Sequence, residues 1–101
     1  MIEFHADDYG MFPKAAERIL ECIENGSING ISIMPNGPCL EACMDLLQKK
    51  CTKPVKIAIH LNLMTQRPLS EPERIPDLVR ADGSFCVLFC LCGRILRCRF
   101  L

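Results

Sequence analysis

The sequence predicts an α/β fold in which short parallel strands alternate with helices. Three apolar runs of strand length are separated by two amphipathic stretches of helix length, in the order strand, helix, strand, helix, strand. This alternation, with short connections, favours right-handed crossovers between parallel strands, as in layered or barrel α/β folds. It disfavours a helical bundle or a β-sandwich.

The first predicted strand covers residues 1–4 and leads into two adjacent carboxylates, Asp7 and Asp8, with Gly10 close behind. In parallel sheets, polar residues at the carboxyl ends of strands commonly form the active site. Successive residues that leave a strand point in different directions, so the two carboxylates are expected to have separate uses. The alternative is a solvated turn whose negative charge favours the start of a helix.

Two amphipathic helices are predicted after the first and second strands. The first begins at Pro13, a favoured first helical residue, and ends at Gly26, which accepts a left-handed conformation. The second begins at Pro38 and ends with two lysines that suit the negative end of the helix dipole. Apolar residues recur at helical spacing in both: Ala16, Ile19, Leu20 and Ile23 in the first, and Leu40, Cys43, Met44 and Leu47 in the second.

The second and third predicted strands cover residues 28–34 and 55–59. Asn36 follows the second strand, and His60 ends the third. All three strand ends should share one edge of the sheet, which brings His60 toward the two carboxylates. Oxygen and nitrogen donors at one place predict a metal site. Taken alone, His60 is more typical of a strand-end histidine that is hydrogen-bonded to the backbone.

The chain changes character after the third strand. Prolines and charges dominate residues 64–84, which predicts a long loop over the same edge of the sheet, and Asp82 with Gly83 predicts a turn. Residues 86–101 are rich in cysteine and arginine and have no strand or helix period. We therefore expect a partial domain over residues 1–85 and an atypical tail over residues 86–101, such as a truncation or a shifted reading frame would produce.

Composition narrows the classes of function. The 101 residues carry 12 basic and 12 acidic side chains, and this balance disfavours nucleic acids and acidic membrane surfaces as partners. The sequence has no membrane-spanning apolar run and no basic segment before an apolar one at its start, so we expect a cytoplasmic protein. The eight cysteines are expected to be free thiols. Zinc binding by the tail cysteines is an alternative, but their spacing matches no common structural zinc pattern.

A series of short motifs follows in order along residues 6–85. They are Ala-Asp-Asp-Tyr-Gly (6–10), Asn-Gly-Ile-Ser-Ile-Met-Pro-Asn (29–36), His-Leu-Asn-Leu (60–63), Arg-Pro-Leu-Ser (67–70), Ile-Pro-Asp-Leu-Val (75–79) and Asp-Gly-Ser-Phe (82–85). Together they resemble the YdjC/ChbG-type carbohydrate deacetylases. The resemblance implies a (β/α)-barrel fold, of which this chain carries the first three strand-helix units, and metal-dependent removal of acetyl groups from N-acetylated sugars or oligosaccharides.

The resemblance also implies roles for individual residues. Asp7 matches the catalytic base of the family, while Asp8 and His60 match two of its three protein ligands for a divalent metal ion, Mg²⁺ or Zn²⁺. The third ligand of the family is a downstream histidine, which is absent because His5 and His60 are the two histidines of this sequence. The first candidates to replace it are Asp82 and a tail cysteine. His5 is expected to have a structural role or to support the metal ligands, and not to bind the metal directly.

Four further side chains are candidates for contacts with the sugar: Asn36, Asn62, Arg67 and Tyr9. Asparagine amides suit sugar hydroxyls, although turn formation explains both asparagines nearly as well. An exposed loop arginine is usually only solvated.

A non-catalytic role is the alternative to an enzyme. A chain that keeps only the first units of such a fold leaves an apolar sheet edge open. It would then serve as an interaction or subunit-forming module, with a second copy of the chain as one partner. The motifs favour the enzyme and the short length favours the module.

Overall fold

A computed structural model of the chain describes residues 1–86. They belong to two compact units, one from Met1 to Leu61 and a second that begins at Asn62. The first unit contains a parallel sheet with strand order β1-β2-β3 and two α-helices. The bounds are β1 His5–Tyr9, α1 Pro13–Glu24, β2 Gly30–Ile33, α2 Leu40–Lys50 and β3 Lys56–Ile59. The predicted α/β order of strands and helices is confirmed.

The first strand lies later in the sequence than predicted. An apolar run predicts a strand over residues 1–4, but the ladder begins at His5, whose Cα pairs with that of Gly30. Phe4 is held instead by Asn29, whose Oδ1 accepts the Phe4 backbone N–H at 2.8 Å. The Phe4 side chain is mostly exposed. Hydrophobicity alone therefore placed the strand wrongly, because the pairing partner decides where a ladder begins.

The two carboxylates consequently lie inside β1 and not beyond it. Ala6 and Tyr9 pack against the core from this strand. Their pairing with β2 is irregular, because three steps along β1 from Ala6 to Tyr9 correspond to two steps along β2. Asp7 and Asp8 therefore form a β-bulge, a feature that re-aims side chains at the end of a strand.

The core of the first unit lies between the sheet and the two helices. The central strand β2 contributes Ile31, which is fully buried. Residues of the predicted apolar stripes supply most of the rest: Ala16, Leu20 and Ile23 from α1, and Cys43 and Leu47 from α2. Burying one large aliphatic side chain contributes about 1.5–3 kcal/mol. This cluster therefore stabilises the unit and fixes both helices against the sheet.

β3 is less covered than the other strands. Ile57 and Ile59 are in register with Ile31 and Ile33 of β2, so they lie on the same face of the sheet. Yet Ile57 is 57% exposed and Ile59 is 70% exposed. The two helices therefore leave the apolar face of β3 open.

Glu24, the last residue of α1, connects that helix to the turn before β3. Its Oε1 accepts the backbone N–H of Thr52 at 2.7 Å. Hydrogen bonds from Thr52, that of its hydroxyl first, hold the pKa of Glu24 below the ordinary value of 4.5. A carboxyl group with a lower pKa in the folded state stabilises the fold above its unfolded pKa. That contribution is lost as the pH falls through the folded pKa.

The replacement Glu24→Gln is therefore expected to lower the melting temperature at pH 7, and the difference from wild type should shrink toward pH 3. Thermal unfolding followed by circular dichroism at both pH values measures this difference. Glu41→Gln, at an exposed glutamate of α2, is the matched control. A difference that grows on acidification would contradict the assignment.

The second unit is more ordered than the predicted loop. It contains a 3-10 helix, Pro72–Arg74, and an antiparallel bridge between Val79 and Phe85, whose side chains are both buried. The predicted turn is present, with Gly83 at a φ of 79°. The bridge joins residues on either side of this turn. Local sequence signals predict the turn but not the bridge.

The cysteines within residues 1–86 are free thiols, as predicted: Cys22, Cys39, Cys43, Cys51 and Cys86. The alternative of zinc binding in the tail depends mainly on Cys90, Cys92 and Cys98, which lie outside the described residues. The expected division into residues 1–85 and 86–101 falls at the same limit and stays a prediction. Among the described residues, no helix has both the length and the apolar character needed to cross a membrane.

Candidate functional site

Four of the predicted site residues lie at the carboxyl end of the sheet in the first unit. Asp7 and Asp8 occupy the bulge of β1, Asn36 lies in the turn after β2, and His60 directly follows β3. Because β2 is the central strand, Asp8 and His60 can meet only across its end. They must therefore span two strand spacings of about 4.8 Å each.

Asp8 and His60 form a close carboxylate-imidazole pair. Asp8 Oδ1 lies 3.2 Å from His60 Nδ1, and the same nitrogen lies 3.3 Å from the backbone nitrogen of Asp8. Two ligands that each lie about 2.0–2.1 Å from one ion, at angles of about 90–110°, are about 2.8–3.4 Å apart. The observed separation fits two ligands of one ion. Both groups are accessible, since the His60 side chain is 31% exposed and that of Asp8 is 61% exposed.

The two contacts of His60 Nδ1 place opposite demands on its protonation. To accept the Asp8 backbone N–H, this nitrogen must present its lone pair, but to donate to Asp8 Oδ1 it must carry a proton. With the lone pair presented, two electron-rich atoms face each other at 3.2 Å. A metal cation between the two atoms would relieve this repulsion. The pair is therefore chemically suited to bind a metal cation.

The backbone holds Asp8 in a conformation that few residues adopt. Its φ is +60°, in the left-handed region, which is uncommon for residues other than glycine, although aspartate and asparagine adopt it more readily than most. Hydrogen bonds to the end of β2 fix both the segment that follows Asp8 and the segment that begins at His60. The Met34 N–H donates to the Tyr9 carbonyl at 2.8 Å, and the His60 N–H donates to the Ile33 carbonyl at 2.7 Å. The separation between Asp8 and His60 is therefore set through β2.

Two glycines let the turn after Asp8 approach the chain that follows β2. Gly10 has a φ of +112°. A Cβ built on Gly37 would lie 2.5 Å from the Gly10 carbonyl oxygen and 3.0 Å from that of Met34. Contacts this short with backbone atoms are not tolerated, so only glycine fits at Gly37. The close approach of these backbones supports the bulge that carries Asp8.

Tyr9 does not face the site, so its predicted contact with substrate is wrong. Its side chain is 1% exposed and belongs to the core, and its hydroxyl donates to the Cys43 carbonyl of α2 at 2.7 Å. Burial, with smaller effects of Cys43 and Cys51, raises the pKa of Tyr9 to about 12. The hydroxyl therefore stays protonated and acts as a donor. Sequence reasoning missed this burial because it depends on the bulge in β1, which is not a local signal.

His5 lies at the amino end of β1, away from Asp8. Its ring lies against Gly30, where a Cβ would overlap it. His5 Nε2 is 3.3 Å from Glu3 Oε1, and the other oxygen of Glu3 lies 2.6 Å from Lys56 Nζ. These contacts link the three strands at their amino ends and agree with the expected structural role of His5.

Three other candidates, Asn62, Arg67 and Asp82, lie in the second unit. Asn62 Nδ2 donates to the Thr65 carbonyl at 2.7 Å, so this amide holds its own turn. Asp82 Oδ1 accepts the Ser84 N–H at 2.9 Å. Hydrogen bonds from Ser84, with a weaker influence of Arg67, lower the pKa of Asp82. The roles of these residues as sugar contacts or as a metal ligand stay predictions.

The donor atoms at the strand ends fit part of a metal site. Within residues 1–86, no group of three or more His, Cys, Asp or Glu side chains is placed to hold a metal ion. Asp8 and His60 supply one oxygen and one nitrogen donor, a combination found in zinc sites. Any further protein ligand therefore has to come from beyond the described residues or from a rearrangement of them.

Comparison with known proteins identifies relatives of this chain. The sequence model of a family described as "YdjC-like protein" matches residues 1–98. A carbohydrate deacetylase of Thermoanaerobacter pseudethanolicus is 32% identical over 81 residues, which are 80% of this chain and 32% of that protein. A carbohydrate deacetylase of Oceanobacillus iheyensis is 31% identical, over 83% of this chain and 35% of that protein. The chain thus spans about a third of the length of these relatives.

A solved structure shares the fold. A putative cellobiose-phosphate cleavage protein from Enterococcus faecalis matches with a TM-score of 0.82 and 23% sequence identity, over 91% of this chain and 36% of that chain. The parallel strands and helices described above are therefore a recurring arrangement. With the sequence match over nearly its whole length, the chain belongs to the YdjC-like protein family.

Proposed function

We propose that this chain carries part of the active site of a metal-dependent carbohydrate deacetylase, which removes acetyl groups from N-acetylated sugars or oligosaccharides. Two relatives are named carbohydrate deacetylases. The observation that carries the proposal is the pair of Asp8 and His60, whose donor atoms lie 3.2 Å apart at the carboxyl end of a parallel sheet. Chemistry in such folds is placed at this edge.

Asp8 and His60 would hold the divalent cation, Mg²⁺ or Zn²⁺, through one carboxylate oxygen and one imidazole nitrogen. A carboxylate suits both ions, whereas imidazole favours zinc. A bound divalent cation supplies Lewis-acid polarisation of the acetyl carbonyl and lowers the pKa of nearby water from about 16 toward about 7. Any further protein ligand would come from outside the described residues or from a rearrangement of them.

Asp7 would act as the general base. Amide hydrolysis requires that the attacking water lose a proton, and a carboxylate that is not a metal ligand keeps its oxygen lone pairs free to accept it. Asp7 is exposed and lies next to Asp8 in the bulge. The proton that Asp7 takes up is then available for the amine nitrogen, which stays on the sugar when its bond to the acetyl carbon breaks and acetate is released.

Asn36, Asn62 and Arg67 would contact hydroxyl groups of the sugar. In the same proposal the sheet is the first part of a (β/α) barrel and the enzyme works in the cytoplasm. The open apolar face of β3, with Ile57 and Ile59, supports a barrel because further strand-helix units would bury it. The greater length of the relatives supports it as well.

A chimaera tests this function without relying on the length of the present chain. Residues 1–86 would replace the matching segment of the Thermoanaerobacter relative, and acetate release from N-acetylglucosamine oligomers would be measured with added Zn²⁺ or Mg²⁺. The chimaera is expected to release acetate, and Asp8→Asn is expected to abolish both metal binding and turnover. A folded chimaera that binds the metal but releases no acetate would contradict the proposal.

The non-catalytic module is a second candidate because one observation favours it. The exposed apolar side chains of β3 continue at Leu61, which is 84% exposed, and an open strand edge invites pairing with another chain. A second copy of the chain is the simplest partner. A folded chimaera without metal binding at Asp8 and His60 would favour this module over the enzyme.

A further inference from the structure

We infer that Tyr9 is a positioning residue, whose buried hydroxyl fixes the place at which the bulge of β1 presents Asp8 to His60. Tyr9 does not touch the site and acts through the backbone that carries Asp8. The inference rests on the proposed function, because that function makes Asp8 and His60 metal ligands. The positions of these residues are argued from hydrogen bonds within the first unit.

The chain after Asp8 is attached at two points, one on α2 and one on Cys39, the residue before that helix. The Tyr9 hydroxyl donates to the Cys43 carbonyl at 2.7 Å, and the Cys39 N–H donates to the Gly10 carbonyl at 3.0 Å. Cys39 and Cys43 are four residues apart, about 6 Å along a helix. Two attachments separated by that distance fix the direction of the segment as well as its position.

The same segment is connected to His60 through β2. The Tyr9 carbonyl accepts the Met34 N–H at 2.8 Å, and the Ile33 carbonyl accepts the His60 N–H at 2.7 Å. Asp8 and His60 are therefore held by consecutive residues of one strand end. A shift of Tyr9 relative to α2 changes the distance between Asp8 Oδ1 and His60 Nδ1 directly.

The hydroxyl is needed because the conformation of Asp8 is costly. A φ of +60° persists only when the surrounding contacts hold it. Removing the Tyr9 hydroxyl frees one of these contacts but keeps the ring in the core. The Cys43 carbonyl lies early in α2 and keeps its helical acceptor role. We therefore expect the Tyr9→Phe variant to fold, but with a bulge that the Tyr9 hydroxyl no longer holds in position.

The test compares wild type, Tyr9→Phe and Ile23→Val in the full chain. Ile23 belongs to the same core but lies on α1, so removal of one methyl group there is the matched control. Nuclear magnetic resonance at constant pH reports the ring ¹H and ¹⁵N shifts of His60 without metal. It also gives the Mn²⁺ concentration that half-broadens the His60 signals. His5, at the other end of β1, is the internal reference.

Both replacements are expected to lower the melting temperature by a few degrees. Only Tyr9→Phe should shift the His60 ring signals and raise the half-broadening Mn²⁺ concentration, by about tenfold as for other partners that orient metal ligands. The inference is overturned if Tyr9→Phe leaves the His60 signals unchanged, or if Ile23→Val changes them equally. Wild-type His60 signals that Mn²⁺ does not broaden would instead refute the metal site, while the metal-free shifts still decide the role of Tyr9.

Discussion

Asp7→Asn is expected to lower acetate release by about 10²–10⁴-fold in the chimaera that contains residues 1–86, the range for loss of a general base. The amide keeps the shape of the carboxylate, but it does not accept a proton from water. Metal content should stay unchanged, because Asp8 and His60 and not Asp7 would hold the ion. Steady-state acetate assays and metal analysis of the purified protein measure the two quantities.

Two further replacements control this experiment. Asp8→Asn should lose metal and activity together, whereas Asp45→Asn, at an exposed position of α2, should change neither. Activity of Asp7→Asn equal to that of wild type would rule out Asp7 as the base. Loss of metal by Asp7→Asn would instead move it into the ligand set.

Gly37→Ala is expected to destabilise the first unit strongly, and Gly30→Ala only weakly. At Gly37 the new Cβ would meet the backbone of Gly10 at 2.5 Å, and backbone held by hydrogen bonds cannot move aside. Overpacking of this kind costs about 1–3 kcal/mol, and about 4–8 °C of melting temperature follows each kcal/mol in a domain of this size. A fall in melting temperature of about 4–24 °C is therefore expected for Gly37→Ala.

At Gly30 the new Cβ would overlap the ring of His5, but this ring is on an exposed residue and can rotate. Alanine also lowers the entropy of the unfolded chain relative to glycine, which offsets part of the cost. Thermal unfolding of both variants measures the difference, and His5→Ala combined with Gly30→Ala should restore the wild-type value. Equal losses for Gly37→Ala and Gly30→Ala would show that the chain after β2 adjusts more freely than the structure indicates.

The sequence was sufficient for those parts of the fold that local signals determine. α1 begins at Pro13 as predicted, and its buried residues follow the helical period. Strand pairing is not local, which explains why β1 begins at His5 and not within residues 1–4. The bridge between Val79 and Phe85 is also a contact between separated residues, so the order of the second unit was missed.

The candidate site was likewise predicted only in part. The meeting of Asp8 and His60 followed from the rule that parallel strands end at one edge, and the structure brings them together. The burial of Tyr9 did not follow, because it depends on a bulge that adds one residue to β1. The β-bulge would also allow the two adjacent carboxylates to have the different uses proposed for them.

The left-handed backbone at Asp8 has a consequence for the evolution of this family. Glycine and asparagine adopt such a φ more readily than most residues, so Asp8→Gly or Asp8→Asn would remove the proposed metal ligand without disturbing the hydrogen bonds of the bulge. If the proposed function holds, a single mutation would thus abolish catalysis and leave the fold intact. Descendants that lost catalysis by this route would persist as folded proteins, free to be recruited for binding alone.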